Sequence, residues 1–159
     1  MLQTMIQDRD QASFRDPSGF IYRDEEGRLA RQVNACYLPH YRQLMESGLY
    51  ESLCKDGWLI EHDEVETSLE EESITLHPRE LAFISYPYEW SFSMLKQAAL
   101  LTLKIQQRAL SHGMSLKDAT AYNVQFEGAR AIFIDTLSFE PYQEGRPWIA
   151  YGQFCQHFL

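Results

Sequence analysis

The sequence predicts an α+β fold, in which a small antiparallel sheet with one helix is followed by a long helix and a second hairpin. Three observations predict it. Strand-like segments flank turn residues at 24–27 and again at 127–130, and an amphipathic helical pattern runs from Phe92 to Ser111 between them. Hairpin strands pair locally, and a helix with this pattern buries one face. A chain of 159 residues with 45% hydrophobic content can bury one such core.

The predicted sheet begins with a hairpin. Residues 20–23 and 28–33 are the strand-like segments, and they flank the short polar turn 24–27. Gly27 can adopt the positive φ that a tight hairpin loop requires. We therefore expect two antiparallel strands here.

A helix and two further strands are expected next. Pro39 is suited to the first turn of a helix that would run to Lys55, with Gly48 as a weak point inside it. Residues 58–60 and 81–85 are apolar and β-prone, and they lie on either side of an acidic stretch. The sequence predicts that both are strands and that the acidic stretch is a solvated loop.

The long helix is the clearest single element in the sequence. Ser91 or Ser93 can cap its start, and Gly113 lies just past its end. Its apolar stripe consists of Met94, Ala98, Leu101, Ile105 and Ala109. Taken with the preceding segments, this helix divides the chain into a flexible N-terminus 1–12, a sheet-rich part 13–88 and the start of a helical part 89–159.

Three polar residues around the second hairpin form a candidate site. Asp118 and Asn123 lie on a loop after the long helix, and Asp135 ends the apolar run 131–134. If the hairpin closes, all three side chains converge at one of its ends. Oxygen ligands of this kind suit a magnesium ion, and a carboxylate can serve as the base for a hydroxyl nucleophile. The bland alternative is that Asp118 and Asn123 only satisfy local backbone groups after the helix.

The pattern Asp-x-x-x-x-Asn, followed by an apolar strand that ends in Asp, resembles the catalytic loop of protein-kinase-like phosphotransferases. This resemblance implies that Asp118 is the catalytic base, that Asn123 binds magnesium and that Asp135 chelates the metal on ATP. Lys117 stands at the position where kinases usually have Arg, and it joins the expected catalytic group. Residues 136–137 are Thr-Leu where kinases have Phe-Gly.

The same resemblance implies a nucleotide-binding half, which departs further from the kinase pattern. Tyr86, Tyr88 and Glu89 would form the hinge that holds the adenine ring. No lysine occurs before Lys55, so Arg31 is the replacement for the strand lysine that contacts phosphates. The expected partners of Arg31 on the next helix are Glu46 or Glu51. An exposed strand residue without this role is the alternative for Arg31.

A second resemblance covers most of the chain. Residues 13–20, 83–92 and 138–142 are similar to the N-terminal region of bacterial proteins described as SAM-dependent methyltransferases, some of them related to nodulation proteins. Those proteins are longer, and their methyltransferase domain follows the matched region. We therefore expect an N-terminal piece of a longer protein, with the downstream methyltransferase domain as a partner. SAM binding by this part is not expected, because it contains no Gly-x-Gly.

Composition limits the classes of partner. The net charge is −9, only four lysines are present, and no basic run occurs, which argues against nucleic acid. Cys36, Cys54 and Cys155 are too widely spaced for a zinc motif or a disulfide framework. No apolar stretch is long enough for a membrane span, and no signal peptide is evident. These features predict a cytoplasmic protein.

Two functions remain open at this point. One is a phosphotransferase that uses magnesium and ATP to modify a small-molecule hydroxyl. The other is a catalytically inactive, pseudokinase-type interaction or regulatory module that serves the methyltransferase. The apolar segments 148–149 and 154–159 are expected to be exposed in an incomplete helical lobe, and they predict self-association.

Overall fold

The computed structural model describes residues 16–65 and 73–159. The expected flexible N-terminus 1–12 lies outside these residues, as do part of the 13–20 segment and part of the acidic stretch. Within the described residues the helices and strands are, in chain order, β1 Gly19–Arg23, β2 Leu29–Val33, α1 Leu38–Glu46, α2 Leu49–Lys55, β3 His62–Val65, β4 Ile74–Pro78, α3 Phe92–Ser111, β5 Met114–Leu116, β6 Val124–Glu127, β7 Arg130–Phe133, β8 Phe139–Pro141 and α4 Tyr151–Phe158.

Contacts divide the chain into two compact units. Of the described residues, the first unit contains 16–39, 61–65 and 73–80, and the second contains His40–Ile60 together with Leu81–Leu159. Residues 40–60 thus belong with the second unit by contact. The division into 13–88 and 89–159 stays a prediction.

The first unit is built on an antiparallel sheet with strand order β1-β2-β4-β3. The predicted hairpin is confirmed, since Tyr22 pairs with Ala30 across β1 and β2. Gly27 closes the turn with a φ of 78°. Asp24 stabilises the same turn, because its Oδ1 accepts the main-chain N–H of Arg28 over 2.8 Å. A polar residue with this ability is what a tight turn favours.

The strands that flank the acidic stretch are not those expected from the sequence. They are β3 and β4, whereas residues 58–60 form only an isolated bridge, in which Leu59 pairs with Phe133. Residues 81–85 belong to no strand, so that prediction was wrong. The reason is specific: the main-chain N–H and C=O of Ser85 bond to the side chain of Gln125, over 2.9 and 3.0 Å. At Ser85, a side-chain amide thus makes the two backbone hydrogen bonds that a neighbouring strand would make.

The helix expected from Pro39 to Lys55 is interrupted. It consists of α1 and α2, with Gly48 between them at a φ of 74°. Right-handed helix cannot continue through this left-handed conformation, which glycine adopts at little cost. The weak point predicted at Gly48 is therefore a full break.

The core of the second unit lies around α3. As predicted, the stripe includes buried Ala98, Leu101, Ile105 and Ala109. Ser91 caps the helix, because its Oγ accepts the N–H of Met94 over 3.3 Å. The other buried apolar residues of this core are Leu44, Leu49, Leu53, Leu59, Met114, Leu116, Val124, Phe133 and Phe139.

Two short strand pairs follow α3. The hairpin of β6 and β7 is confirmed, with Glu127 paired to Arg130 at its turn. The pairing of β5 with β8, which places Leu116 opposite Phe139, was not expected from the sequence. It brings the start of the 117–123 loop next to the segment after Asp135.

The C-terminal apolar residues are only partly exposed. Phe154 is buried, with 6% of its surface accessible, and its ring packs against that of Trp148 at a centroid distance of 5.6 Å. The expectation that residues 154–159 are exposed as a block was therefore wrong. Ile149 remains open to solvent, with 69% of its surface accessible. Across the two described ranges, no helix combines the length and the apolar character needed to cross a membrane.

Candidate functional site

The loop that carries Asp118 is held at its entry by buried hydrogen bonds. Leu116 donates its main-chain N–H to Oε1 of Gln106 over 2.7 Å, and its carbonyl oxygen accepts the indole N–H of Trp148, also at 2.7 Å. Lys117 donates its N–H to the carbonyl oxygen of Ser138 over 2.8 Å. The last residues of β5 are therefore fixed by α3, by the chain before α4, and by the segment that follows Asp135.

Asp118 is half-buried at the start of the loop. Its Oδ1 accepts the N–H of Thr120 over 3.0 Å. Residues from α4 hold the same stretch: Gln153 Oε1 accepts the N–H of Ala119 at 2.6 Å, and His157 Nε2 lies 3.3 Å from Thr120 Oγ1. One carboxylate oxygen of Asp118 is thus committed to local structure. The alternative that Asp118 satisfies local backbone groups is therefore correct in part, because its side chain accepts the N–H of Thr120.

Asn123 and Asp135 are brought together by Ser138. Asn123 Nδ2 donates to Ser138 Oγ over 3.1 Å, and Ser138 Oγ donates to Oδ2 of Asp135. The main chain reinforces this arrangement, because Ile134 donates its N–H to the carbonyl oxygen of Asn123 at 2.8 Å. The hairpin therefore places the two predicted metal ligands at one end, linked through a single hydroxyl.

Asp118 is joined to this pair through the loop backbone. Asn123 donates its N–H to the carbonyl oxygen of Thr120 over 3.1 Å, and Thr120 in turn bonds to Asp118. Hydrogen bonds therefore connect the loop from Asp118 to Asn123. Lys117 is half-buried and adjoins Asp118 in sequence.

The donor set suits a hard cation that brings ligands of its own. Asp135 offers a carboxylate, whose Oδ1 also accepts the N–H of Leu137 at 3.1 Å, and Asn123 offers an amide oxygen. Among residues 16–65 and 73–159, no three or more His, Cys, Asp and Glu side chains cluster as a metal cage. Magnesium does not require such a cage, since it binds through one or two carboxylates together with phosphates and water. The residues present fit that mode of binding.

The predicted hinge residues form a tight turn in the second unit. Pro87–Glu89 is a single 3-10 turn, in which Glu89 donates its N–H to the carbonyl oxygen of Tyr86 over 2.8 Å. The N–H of Tyr86 donates to Oε2 of Glu89 at 2.7 Å. Tyr86 and Tyr88 stack with their centroids 5.5 Å apart, and both are exposed. Their predicted contact with an adenine ring stays a prediction.

Arg31 lies in the first unit, in the middle of the sheet. It sits on β2, opposite Ile21 on β1 and Leu76 on β4. It also acts on His62 of the same unit. The pKa of His62 is lowered to about 4, mainly by burial; the carboxylates of Glu64 and Asp63 oppose this lowering, and the Arg31 charge adds a smaller contribution to it. Arg31 thus occupies the kind of strand position predicted for it, and its phosphate-binding role stays a prediction.

Several residues that shape the site were missed from the sequence. Ser138 follows Asp135 by three positions, and Gln106 is a polar residue on the buried side of α3. A polar side chain within an apolar stripe signals a buried hydrogen bond, so Gln106 was open to detection. Gln153 and His157 gave no local signal, because their partners lie more than thirty positions earlier in the chain.

Comparison with solved structures settles the architecture. The structure of vaccinia related kinase 3 matches the chain with a TM-score of 0.53 at 11% sequence identity, covering 82% of this chain and 47% of that one. The fold of this chain is protein-kinase-like. The chain spans about half the length of that kinase structure. At this identity the protein-kinase-like match concerns the fold alone.

Sequence comparison adds one relative. Nodulation protein NoeA of Rhizobium meliloti (strain 1021) is 40% identical over 153 residues, which are 92% of this chain and 31% of that protein. The chain therefore spans about a third of the relative's length. No protein-family model matches the chain.

Proposed function

We propose that this chain is a nucleotide- and magnesium-binding module that transfers a phosphoryl group from ATP to the hydroxyl of a small molecule. The observation that supports this function best is the linked pair Asn123 and Asp135, on the same hydrogen-bonded loop and hairpin as Asp118. In a protein-kinase-like fold, a base and two metal ligands are needed at this end of the hairpin.

Each residue has a separate role in the proposed reaction. Asp118 accepts the proton of the substrate hydroxyl through the carboxylate oxygen that does not hold Thr120. Asn123 and Asp135 hold magnesium, which when bound offsets the charge of the ATP phosphates. Lys117 supplies a positive charge next to the base, where negative charge develops during transfer. Tyr86, Tyr88 and Glu89 bind the adenine.

The overall charge favours a small acceptor over a nucleic acid. With a net charge of −9 and four lysines, the chain lacks the clustered cations that a phosphate backbone attracts. The proposed acceptor is therefore a small molecule that carries a hydroxyl group.

A second candidate is a pseudokinase-type module without catalysis. Arg31 in place of the strand lysine favours it, because a planar guanidinium does not replace an ammonium at a phosphate site. The main-chain N–H of Tyr86 favours it as well, because this N–H already donates to the Glu89 carboxylate and not to an adenine ring. Such a module would regulate or bind a SAM-dependent methyltransferase domain, the partner that the second resemblance implies. Both candidates are assigned to the cytoplasm.

Nucleotide binding is tested first, by thermal unfolding with and without about 5 mM Mg²⁺ and ATP. A ligand at a hundred times its Kd stabilises a protein by about 2.7 kcal/mol, which raises Tm by several degrees for a chain of this size. Asp135→Asn should lose the shift, since it weakens the metal site while keeping an acceptor for Leu137. Glu144→Gln, an exposed charge-matched control, should keep it. No shift in the wild type would contradict the phosphotransferase and the nucleotide-binding form of the second candidate, and would leave a module that only binds a partner domain.

Turnover then separates the two candidates. ATP consumption is measured with a panel of small hydroxyl compounds, for the wild type, Asp118→Ala and Asp135→Ala. An enzyme should lose at least about 100-fold in each variant, because both the base and the metal site act in the reaction. Equal rates in all three proteins would reject catalysis by these residues and leave the binding module.

Self-association is a further part of the proposal. Ile149 and Tyr151 lie two positions apart in sequence, with 69% and 62% of their surfaces accessible. Exposed apolar groups of this size favour contact with another chain. Size-exclusion chromatography with light scattering should show a concentration-dependent rise in mass, which Ile149→Ser reduces. A constant monomer mass would reject it.

A further inference from the structure

Ser138 is the residue at which the loop and the metal-binding turn meet. Its carbonyl oxygen accepts the N–H of Lys117 over 2.8 Å, and its N–H donates to the carbonyl oxygen of Asp135 at 3.3 Å. Its side chain contacts Asn123 and Asp135. The residue has no accessible surface, so water does not compete for these bonds.

The hydroxyl has one proton, and this decides the direction of the hydrogen bonds. A carboxylate only accepts, so the Ser138 hydroxyl must give its proton to Asp135 Oδ2. The Ser138 oxygen is then left as an acceptor, and the atom of Asn123 that faces it must be the amide nitrogen, 3.1 Å away. The amide oxygen of Asn123 is consequently turned away from Ser138. That oxygen is the atom that binds a hard cation.

We infer that Ser138 is a positioning residue for the magnesium site. Through its hydrogen bonds, Ser138 orients the Asn123 amide oxygen and the Asp135 carboxylate for the cation before the cation binds. This inference rests on the proposed function. Ser138 does not itself bind the metal. It acts through Asn123 and Asp135, as residues behind metal ligands generally do, and losing such a residue typically costs 10- to 100-fold in metal affinity.

The test is calorimetric titration of the chain with the ATP analogue AMP-PNP, in excess Mg²⁺ and again in EDTA. Ser138→Ala should weaken binding in Mg²⁺ by about 10-fold or more, and should leave binding in EDTA unchanged. Ser115→Ala is the matched control. Ser115 is also buried, on the strand that pairs with β8, but its hydroxyl bonds to Gln106 and not to a proposed metal ligand.

A second variant separates positioning from folding. Ser138→Cys is the replacement closest in shape to serine but has only a weak donor and acceptor, so in samples that circular dichroism shows to be folded it should still lose Mg²⁺-dependent affinity. Ser138→Thr keeps the hydroxyl and should restore that affinity.

The outcomes distinguish this inference from the proposed function. If the wild type binds AMP-PNP no better in Mg²⁺ than in EDTA, the metal site itself is absent and the proposed function fails, and the inference fails with it. If the wild type shows Mg²⁺-dependent binding that Ser138→Ala and Ser138→Cys retain in full, the inference alone is overturned. Tighter Mg²⁺-dependent binding in these variants also overturns it, since Ser138 would then compete with the cation.

Discussion

Gln106 on α3 accepts the main-chain N–H of Leu116 through its Oε1, over 2.7 Å, and both residues are buried. The same side chain donates from Nε2 to Ser115 Oγ at 3.1 Å. A single amide therefore ties the long helix to the strand that leads into the Asp118 loop. These two hydrogen bonds connect the core of the second unit to the candidate site.

Gln106→Leu should destabilise the chain by about 2 kcal/mol. The leucine fills a similar volume, but the N–H of Leu116 is left buried without its acceptor, and an unsatisfied group of this kind costs about 1–3 kcal/mol. Urea unfolding followed by circular dichroism measures the change. Gln107→Leu is the control, since Gln107 is exposed on the same helix and its replacement should change stability by less than about 0.5 kcal/mol. Equal effects of the two changes would contradict the role of the Gln106 bond.

Gln125→Leu should release the segment before the predicted hinge. Gln125 holds both main-chain groups of Ser85, and Ser85 Oγ accepts the indole N–H of Trp90 over 2.9 Å. Without the amide, the Ser85 N–H loses its partner, and we expect its hydrogen exchange to accelerate by about 10-fold or more. Exchange measured by mass spectrometry over residues 85–90 tests this, with the β1–β2 turn as internal reference. Unchanged exchange at Ser85 would show that Gln125 does not hold it.

Stability should fall as the pH drops from about 6.5 towards 4 because of His62. Burial lowers its pKa to about 4 from the usual 6.5, so between these values the unfolded chain takes up a proton that the folded chain does not. The stabilisation is present above pH 6.5, decreases through this window and is lost below about 4. The total is on the order of 2–3 kcal/mol.

The difference between wild type and His62→Gln isolates this effect, since other titrating groups are common to both. The free energy of unfolding is measured at half-unit steps from pH 7.5 to 4.5. The wild-type curve should decline relative to that of the variant as the pH falls. Parallel curves would mean that His62 is not buried as a neutral side chain.

Gly48→Ala and Gly152→Ala should have opposite effects. Gly48 has a φ of 74° between α1 and α2, where an alanine is strained by about 1–2 kcal/mol. Gly152 lies in α4, and alanine is favoured over glycine in a helix by up to about 1 kcal/mol. A Cβ would meet nothing within 4 Å at either position, so packing does not confuse the comparison. Thermal unfolding of both variants should show a lower Tm for the first and an equal or higher Tm for the second. The same shift in both would rule out backbone strain at Gly48.

Asp118→Asn should separate catalysis from folding. The asparagine retains an Oδ1 that can accept the N–H of Thr120, so Tm should stay within about 2 °C of the wild type. An amide is a poor proton acceptor, so phosphoryl transfer, once an acceptor is found, should fall by about 100- to 10,000-fold. Wild-type activity in the variant would exclude Asp118 as the base, and a large loss of Tm with no effect per folded molecule would assign it a local structural role.

Much of the fold follows from local patterns. The hairpin closed by Gly27, the helix capped by Ser91 and the hairpin of β6 and β7 all depend on residues a few positions apart, so their signals survive in the sequence. The residues of the candidate site could be proposed from the sequence for the same reason. Asp118, Asn123 and Asp135 lie on either side of one hairpin, and its register alone brings two of them together.

The errors arose where a distant partner overrides a local preference. Residues 81–85 have a strand-like composition, but at Ser85 the side chain of Gln125, forty positions later, bonds to the backbone groups that a neighbouring strand would use. The sequence also contains nothing local that joins Leu116 to Phe139. Phe154 was expected to be exposed because its burial depends on distant contacts. Trp148 packs against its ring, and Trp148 is itself held by a hydrogen bond to the carbonyl oxygen of Leu116.

By itself, then, the sequence determined the order of the elements, the two hairpins, the long helix and the three oxygen-bearing residues of the site. Only the tertiary structure decided how those residues are held: the Gln106 bond at the loop entry, the α4 contacts behind Asp118 and the Ser138 hydroxyl between Asn123 and Asp135. The physical reason is range. Periodicity and turn chemistry act within a few residues, whereas a buried polar group is satisfied by whichever partner the folded chain places beside it.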